Sequence, residues 1–325
     1  MAEHANSTDP RAADPSATPG SRPSPATCIV VGEALVDIIV ADRQPTRRVP
    51  GGSPLNVAVG LARLGHPVEL ITELGQDADG ELIGNHLTRN CVDLHPASVL
   101  AGRRTNTATA HIQAAGAARY EFNLDWTLGP RRLPPDARSL HVGSVAAILA
   151  PGATAVLDLV KQARERKLLV TLDPNIRPAL IRDPDQAWSH VRELAACSDI
   201  VKLSDEDLEY LQPGSDPAAV ATDLLRGSAE LVVVTAGAGP ARAFSTQGAA
   251  SVQAPDATVA DTVGAGDTFM AALIAMAIEG AHEDLSSVRL VQLLEAAHQA
   301  AHICVTRPGA DPPRRDELPP QWPSC

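Results

Sequence analysis

The sequence predicts an α/β fold in which helices cover both faces of a largely parallel sheet. Short runs rich in β-branched residues alternate along the chain with amphipathic segments rich in Ala and Leu. These runs are apolar throughout, which is typical of parallel strands that are buried on both faces. The chain has 325 residues, of which 44% are hydrophobic. That length fits one large α/β domain or two smaller ones.

The individual elements follow from this alternation. The predicted strands are Cys28–Val31, Val68–Thr72, Leu168–Leu172, Ile200–Leu203 and Leu231–Thr235. The predicted helices are Asn56–Leu64, Glu81–Arg89, Ala153–Arg166, Ala218–Arg226 and Met270–Ile278.

Residues 1–26 have a different composition from the rest of the chain. They contain five prolines and no Val, Leu, Ile or Phe. Such a segment cannot bury enough apolar surface to offset the entropy of ordering it, so we predict a disordered tail. The folded domain is then expected to cover residues 27–325.

Residues 105–125 interrupt the alternation of strands and helices. Thr105, Thr107 and Thr109 alternate with other residues before the turn at Gly116, and a second alternating run follows it. A period of two indicates a β-hairpin with one apolar and one polar face. A hairpin inserted between βα units is either a lid over the sheet or a simple edge hairpin.

Charge and cysteine usage exclude several classes of function. The formal net charge is −12, which argues against a surface that binds nucleic acid or anionic membrane. The five cysteines form no CxxC pair, and no apolar run approaches the roughly 18 residues of a membrane span. Because the N-terminus also lacks the apolar core of a signal peptide, we expect a cytoplasmic protein.

The strongest local motif is DTVGAGDTF, which runs from Asp261 to Phe269 and leads into an apolar helix. Gly264, Ala265 and Gly266 would leave backbone N–H groups uncovered at the positive end of that helix, which predicts an anion hole. A carboxylate beside such a hole is explained if Asp267 accepts a proton from a nucleophile that attacks the bound anion. The alternative is that Asp267 only caps an ordinary helix.

Two other phosphate-binding loops are missing from the sequence. No GxxxxGK[ST] motif occurs, which excludes a P-loop, and no GxGxxG follows the first strand. The second absence weakens a dinucleotide-binding interpretation.

A second glycine-rich motif, GGSPLN, precedes the first predicted helix. Gly51 and Gly52 would let a ligand approach the backbone closely, and Asn56 offers a donor and an acceptor suited to sugar hydroxyls. Asp37 follows the first strand, and ligands of open α/β sheets bind beyond the carboxyl ends of strands. A glycine-rich turn with a capping Asn is the simpler alternative.

In their order and separation, these two motifs resemble the signatures of the ribokinase-like (PfkB) carbohydrate kinases. The motifs GEALVDI, ELGQDADG, LDPNIRP, VKLSDEDL, VVTAGAG and VTRPGA fall in family order, so the resemblance covers about residues 28–320. It implies a three-layer α/β/α sandwich with a mainly parallel sheet. It also implies a small β lid from about residues 37–49 and 105–125.

The resemblance also implies a role for individual residues. Asp267 matches the catalytic base and Gly264–Gly266 the anion hole, while Asp37, Gly51, Gly52 and Asn56 match sugar contacts. Lys202, Thr235, Gly237 and Gly239 lie in stretches that bind ATP, and His298 stands where many members have an Asn near the adenine. Asp261 and residues 307–310 resemble a monovalent-cation region that would hold K⁺. Either Glu206 or Asp207 would contact Mg²⁺ through water.

The implied activity is that of an ATP- and Mg²⁺-dependent sugar kinase, most similar to the fructokinase branch. D-fructose is the expected substrate. Because Arg177 in the DPNIRP motif could serve a carboxylate as well as a sugar or the ATP phosphates, a sugar acid such as 2-keto-3-deoxygluconate is the alternative. Phosphofructokinase, ribokinase and nucleoside kinase are further alternatives. The alternative from another class of function is a sugar-binding sensor without catalysis. The implied partners are the sugar and ATP, and a second copy of the chain that would pair through the lid.

Overall fold

The computed structural model describes residues 27–41, 45–112, 118–281 and 284–322. The tail predicted over residues 1–26 and the tip of the predicted hairpin lie outside them. The strands are β1 (Thr27–Val31), β2 (Leu35–Ala41), β3 (Arg47–Gly51), β4 (Val68–Ile71), β5 (Leu74–Gly75), β6 (Val92–Leu94), β7 (Val99–Leu100), β8 (Thr107–Ile112), β9 (Ala118–Asn123), β10 (Ala137–Gly143), β11 (Leu169–Asp173), β12 (Ile200–Ser204), β13 (Leu231–Thr235), β14 (Pro240–Ser245) and β15 (Ala249–Gln253).

The helices between these strands begin at residues suited to start them. Asp77, Asp183, Ser204 and Asp216 each accept a hydrogen bond from a first-turn backbone N–H with their side chain. No helix among the described residues is long and apolar enough to cross a membrane. The helices are α1 (Ser53–Arg63), α2 (Ala78–Arg89), α3 (Gly152–Glu165), α4 (Pro184–Ala195), α5 (Asp205–Leu211), α6 (Pro217–Leu224), α7 (Ala265–Met276) and α8 (Ser287–Val305).

A nine-stranded sheet forms the middle layer, in the order β6-β4-β1-β10-β11-β12-β13-β14-β15. Neighbouring strands from β6 to β13 are parallel, and β14 and β15 are antiparallel to their neighbours. Five of the parallel strands are those that the sequence predicts. The predicted fold class, a mainly parallel sheet between helices, is confirmed.

The apolar core lies on both faces of this sheet. One half packs α1, α2, α7 and α8 against residues such as Val30, and the other packs α3–α6 against residues such as Ile29. Val30 and Ile29 are both fully buried although they point to opposite faces. Burial on both faces explains why the strands are apolar throughout instead of alternating.

A separate four-stranded sheet, β3-β2-β8-β9, contains the predicted hairpin. Strands β8 and β9 pair in antiparallel fashion with Thr109 opposite Glu121, and β2 lies parallel to β8. Strand β3 is linked to the main body by an ion pair between Arg48 and Asp79 of α2. We call these four strands the small sheet.

The strand order of the main sheet reverses between β1 and β10. Strands β4 and β6 follow on one side of β1, whereas β10 to β13 continue on the other side. In open α/β sheets such a switch point leaves a crevice beyond the carboxyl ends of the strands, where ligands bind. Asp173 ends β11, next to β10, and Asn175 and Arg177 follow it on this side of the sheet.

Candidate active site

Helix α7 begins at the crevice without a capping side chain. Its N-cap is Gly264, with φ of 78°, which has no side chain to cap the first-turn N–H groups. A Cβ at Gly264 would lie 2.6 Å from the Cβ of Ala310, so glycine is required by both conformation and space. First-turn N–H groups have no partner within a helix and stand at its positive end. The predicted anion hole of Gly264, Ala265 and Gly266 lies at this positive end, where the Ala265 N–H also donates to the Thr262 carbonyl oxygen (3.3 Å). The anion hole itself stays a prediction.

Asp267, in the first turn of α7, is fixed by side chains from two distant segments. Its Oδ1 accepts hydrogen bonds from the Ser53 hydroxyl (2.6 Å) and the Asn175 amide (3.3 Å). Its Oδ2 accepts one from the Asn56 amide (2.8 Å). Only 6% of Asp267 is exposed. The simpler role of helix cap does not describe it, because its partners are side chains outside α7.

The hydrogen bonds of Asp267 leave it some capacity to accept a proton. A carboxylate offers about four lone-pair positions, and three are used by Ser53, Asn175 and Asn56. Since Oδ2 receives one of these bonds, it has a position left for a ligand hydroxyl. The sequence alone indicated no role for Ser53 or Asn175, although Ser53 lies in the GGSPLN motif and Asn175 in the LDPNIRP motif.

The predicted sugar-contacting residues lie together beside Asp267. Asp37 of β2 packs on the last residue of β3, where a Cβ on Gly51 would overlap its carboxylate. The next residue, Gly52, has φ of 106°, and a Cβ there would lie 2.6 Å from the Glu33 carbonyl oxygen. Burial raises the pKa of Asp37 to about 6, against the opposing effect of the Arg177 guanidinium.

Glu33 is a buried carboxyl group that sequence analysis did not assign. It follows β1, is 4% exposed, and its Oε2 accepts the backbone N–H of Ala146 (3.2 Å). Burial raises the pKa of Glu33 to about 7, while hydrogen bonds and Arg177 act in the opposite direction. Its position directly after a buried strand is the one signal that could have indicated it.

Arg177 lies beyond the end of β11, as predicted, and folds back on its own loop. Its Nη1 donates to Asn175 Oδ1 (2.6 Å) and to the carbonyl oxygens of Asn175 (3.1 Å) and Ile176 (3.2 Å). The bond to Oδ1 orients the Asn175 amide so that its Nδ2 faces Asp267. Arg177 therefore supports the Asp267 carboxylate through Asn175. Its positive charge also opposes the rise in the pKa of Asp37 and Glu33.

Lys202 of β12 lies close to the start of α7, with its Nζ 3.7 Å from the position that a Cβ on Gly266 would occupy. Its Nζ donates to Asp173 Oδ2 (2.8 Å), and both side chains are almost completely buried. Burial opposes the charged form of Lys202, but Asp173 and more distant carboxylates outweigh it and raise the pKa of the amine. Burial raises the pKa of Asp173 to about 6, although Lys202 opposes this rise.

The other predicted ATP-binding residues occupy two different places. Thr235 ends β13 beside Ser204 of β12, and Gly237 and Gly239 form the turn into β14. Thr235, Gly237 and Gly239 therefore lie along the edge of the sheet that is formed by the carboxyl ends of β12 and β13. His298 instead packs inside: its ring contacts Phe269 edge to face, and its Nε2 lies 3.1 Å from the Val252 carbonyl oxygen.

The two predicted magnesium residues differ in their surroundings. Asp207 is 3% exposed, and its oxygens accept the backbone N–H groups of Ile176 (2.6 Å) and Ser204 (2.7 Å). It completes a capping box at the start of α5. Glu206 is exposed beside it. Asp207 therefore has a structural role, and Glu206 is the exposed one of the two candidate carboxylates.

Asp261 connects the two loops of the predicted cation region. Its oxygens accept the backbone N–H groups of Val263 (3.0 Å) and Gly309 (2.9 Å), so the loop before α7 and the loop after α8 are joined. Within the described ranges, no three His, Cys, Asp or Glu residues converge as a metal site.

Comparison with known proteins gives consistent results. A sequence model described as pfkB family carbohydrate kinase matches residues 26–317. The chain is 35% identical to a fructokinase of Rhizobium leguminosarum bv. trifolii over 256 residues. The matched region covers 75% of this chain and 77% of the relative. The chain is 32% identical over 309 residues to a fructokinase of Klebsiella pneumoniae, which covers 89% and 97%.

A solved structure with the same fold is a fructokinase with bound ATP from Xylella fastidiosa. It superposes with a TM-score of 0.74 and 26% sequence identity. The match covers 88% of this chain and 94% of that one.

We predict that Asp207 stabilises the fold and that its neighbour Glu206 does not. Asp207→Ala would leave two buried N–H groups without acceptors, which should lower the free energy of unfolding by about 1–3 kcal/mol. Glu206→Ala is the matched control and should change it by less than about 0.5 kcal/mol. Urea unfolding of both variants measures the difference, and equal losses would contradict this role for Asp207.

Proposed function

The chain belongs to the pfkB family of carbohydrate kinases, and we propose that it transfers the terminal phosphoryl group of ATP to the primary hydroxyl of D-fructose. The observation that carries this proposal is the fixed carboxylate of Asp267 at the open start of α7. A carboxylate of this kind is suited to take a proton, whereas the neighbouring N–H groups are suited to hold an anion. A sugar sensor without catalysis would have no use for this combination.

Asp267 would act as the base. Its carboxylate accepts the proton of the primary hydroxyl as that oxygen attacks the terminal phosphorus of ATP. The bond between this phosphorus and the bridging oxygen breaks, and ADP leaves with the bridging oxygen. In-line phosphoryl transfer depends mainly on positioning and on electrostatic stabilisation. Ser53, Asn56 and Asn175 hold Asp267 in place before the substrate arrives, so little reorganisation is needed during the reaction.

The anion hole would stabilise the charge that develops on the transferred group. The helix dipole and the Gly266 N–H would provide fixed positive charge at the start of α7, where the Ala265 N–H already donates to the Thr262 carbonyl oxygen (3.3 Å). Thr235, Gly237 and Gly239 would continue the nucleotide site along the sheet edge. His298 would act behind this site, through its contact with Phe269, rather than on the adenine directly.

The surroundings of Arg177 favour a neutral sugar. The guanidinium of Arg177 donates to its own loop and lies near enough to the carboxyl groups of Asp37 and Glu33 to oppose the rise of their pKa, so acidic groups already stand beside its charge. A sugar acid or a sugar phosphate would require additional positive charge. Asp37 and Asn56 can instead accept and donate hydrogen bonds to hydroxyls, with Gly51 and Gly52 leaving room for close approach.

Metal ions would bind mainly through ATP. When bound, Mg²⁺ neutralises negative charge on the phosphates, and it commonly retains several water ligands. Glu206 is the exposed carboxylate that could reach such a water. Asp261 would support K⁺ binding indirectly, because both of its oxygens already join the loops around the anion hole.

The small sheet would serve as a lid on the sugar side. It contributes Asp37 and Gly51, so its position relative to α1 determines the sugar contacts. Two ion pairs stabilise the edges of the small sheet. They join Arg48 to Asp79, and Arg103 to Asp125 (2.9 Å). Pairing of two copies through this lid remains a prediction.

We predict that Asp267→Asn keeps the fold and ATP binding but lowers kcat by at least about 100-fold, the scale typical of a general base. The amide preserves shape but cannot accept the proton. Calorimetric ATP titration and a coupled assay measure the two effects, with Asp205→Asn, exposed at the start of α5, as the control. A variant that retains more than about half of the activity would contradict the role of Asp267.

We predict that kcat/KM is higher for D-fructose than for fructose 6-phosphate, ribose or 2-keto-3-deoxygluconate. The charge balance around Arg177 is the physical reason for the preference over anionic sugars. A coupled assay with all four compounds at a fixed ATP concentration provides the comparison. A tenfold preference for another compound, about 1.4 kcal/mol of transition-state stabilisation, would overturn the choice of fructose and leave the kinase activity intact.

A further inference from the structure

A cleft at the opposite edge of the sheet from the crevice takes no part in the proposed reaction. It lies between the last turn of α3 and the loop that leads into β10, and its volume is about 580 Å³. This loop enters β10 at Ala137, whereas the crevice lies beyond Gly143 at the other end of that strand. At about 3.3 Å per residue, the length of β10 places the two sites roughly 20 Å apart. The residues that line the cleft are 130–133 in the loop, and Gln162, Glu165 and Arg166 at the end of α3.

Side chains of α3 fasten the two walls of the cleft to each other. The Gln162 amide donates to the Arg131 carbonyl oxygen (3.0 Å) and accepts the Leu133 N–H (3.4 Å). Arg166 donates to the carbonyl oxygens of residues 133–135 at distances of 2.9–3.3 Å. The loop is therefore held in place before any ligand arrives, which lowers the entropic cost of binding.

Positive charge predominates in the cleft. Arg131, Arg132 and Arg166 line it together with one acid, Glu165, although the chain as a whole has a formal net charge of −12. Within the part of the chain that the structure describes, Arg164 of the same helix forms an ion pair, whereas none of the three arginines of the cleft has a carboxylate within ion-pair distance. Their charge is therefore available to a ligand.

The guanidinium groups also keep donors that the protein does not use. Each guanidinium has five N–H donors. Arg131 donates through Nη1 to the Pro130 carbonyl oxygen (3.2 Å) and through Nη2 to the Ala97 carbonyl oxygen (3.3 Å). Its Nε is buried without a hydrogen-bond partner among the described residues, and Arg132 is exposed. Because a buried N–H without an acceptor is costly, a ligand rich in oxygen would be stabilising here.

These features fit a small phosphate ester. The planar fork of a guanidinium matches the oxygens of a phosphate group, and three such groups supply more donors than a single carboxylate can accept. The volume of the cleft lies in the range of small-molecule sites. Glu165, the one acid of the lining, can accept hydrogen bonds from hydroxyl groups on the same ligand.

We propose that this cleft is a binding site for a small phosphorylated sugar or polyol, with Arg131, Arg132 and Arg166 on the phosphate and Glu165 on a hydroxyl. It is a second site on the chain, separate from the crevice where Asp267 lies. The inference does not rest on the proposed function, because the cleft shares no residue with the candidate active site.

Equilibrium binding to the full chain tests the proposal without any turnover. Calorimetry is performed with glucose 6-phosphate, which carries the phosphate ester without being the expected product, and with inorganic phosphate and citrate for comparison. Glucose 6-phosphate should bind at least about tenfold more tightly than either of the other anions. Arg132→Glu replaces an exposed positive side chain with a negative one and should weaken the binding of glucose 6-phosphate by at least about tenfold.

Arg89→Glu is the matched control, because Arg89 is exposed at the end of α2 and lies outside the cleft. This variant makes the same change in net charge and should leave the affinity within about twofold, since salt screens distant charges. Arg131→Gln is a second test variant and should also weaken binding. If Arg131→Gln does not fold, Arg132→Glu still provides the test, because the Arg132 side chain is exposed.

Four results would overturn the proposal. They are no binding of glucose 6-phosphate to the unchanged chain, equal binding of all three anions, equal weakening by Arg132→Glu and Arg89→Glu, and full binding that persists in Arg132→Glu. The last result would place the ligand elsewhere, such as in the crevice. Failure of ATP-dependent turnover with fructose would affect the proposed function and leave this binding result intact.

Discussion

The structure of the site depends on one carboxylate and its three hydrogen bonds. Asp267 joins the start of α7 to the start of α1 through Ser53 and Asn56, and to the loop after β11 through Asn175. These segments are more than 90 residues apart in sequence, and the crevice of the sheet brings them together. The anion hole and the sugar-facing residues are therefore fixed relative to each other by the group that would transfer the proton. Arg177 extends this arrangement by orienting Asn175.

Burial is the second physical theme of the site. It raises the pKa of Asp37, Glu33 and Asp173, and in each case a nearby cation opposes the rise. Arg177 has this effect on the sugar side, and Lys202 on the phosphate side. Each cation is thus matched to acids within the protein.

The sequence predicted the fold class and the position of the main motifs, because apolar periodicity and glycine patterns are local signals. The five predicted main-sheet strands lie within one residue of their observed bounds. Contacts between distant segments were not predictable in this way. Nothing local indicates that Ser53 bonds to Asp267 or that Lys202 pairs with Asp173, since both depend on the packing of separate elements. The same limit applies to Asp207, whose oxygens cap α5 and hold the loop after β11.

A crystal structure of the chain with D-fructose and a non-hydrolysable ATP analogue tests the central claim most directly. The account predicts the primary hydroxyl oxygen within hydrogen-bond distance of Asp267, about 2.6–3.2 Å, with the terminal phosphorus facing Gly264–Gly266. It also predicts that the hydroxyl takes the remaining acceptor position on Oδ2, beside the Asn56 amide. A primary hydroxyl bonded to another group and turned away from Asp267, with both ligands fully bound, would contradict the account.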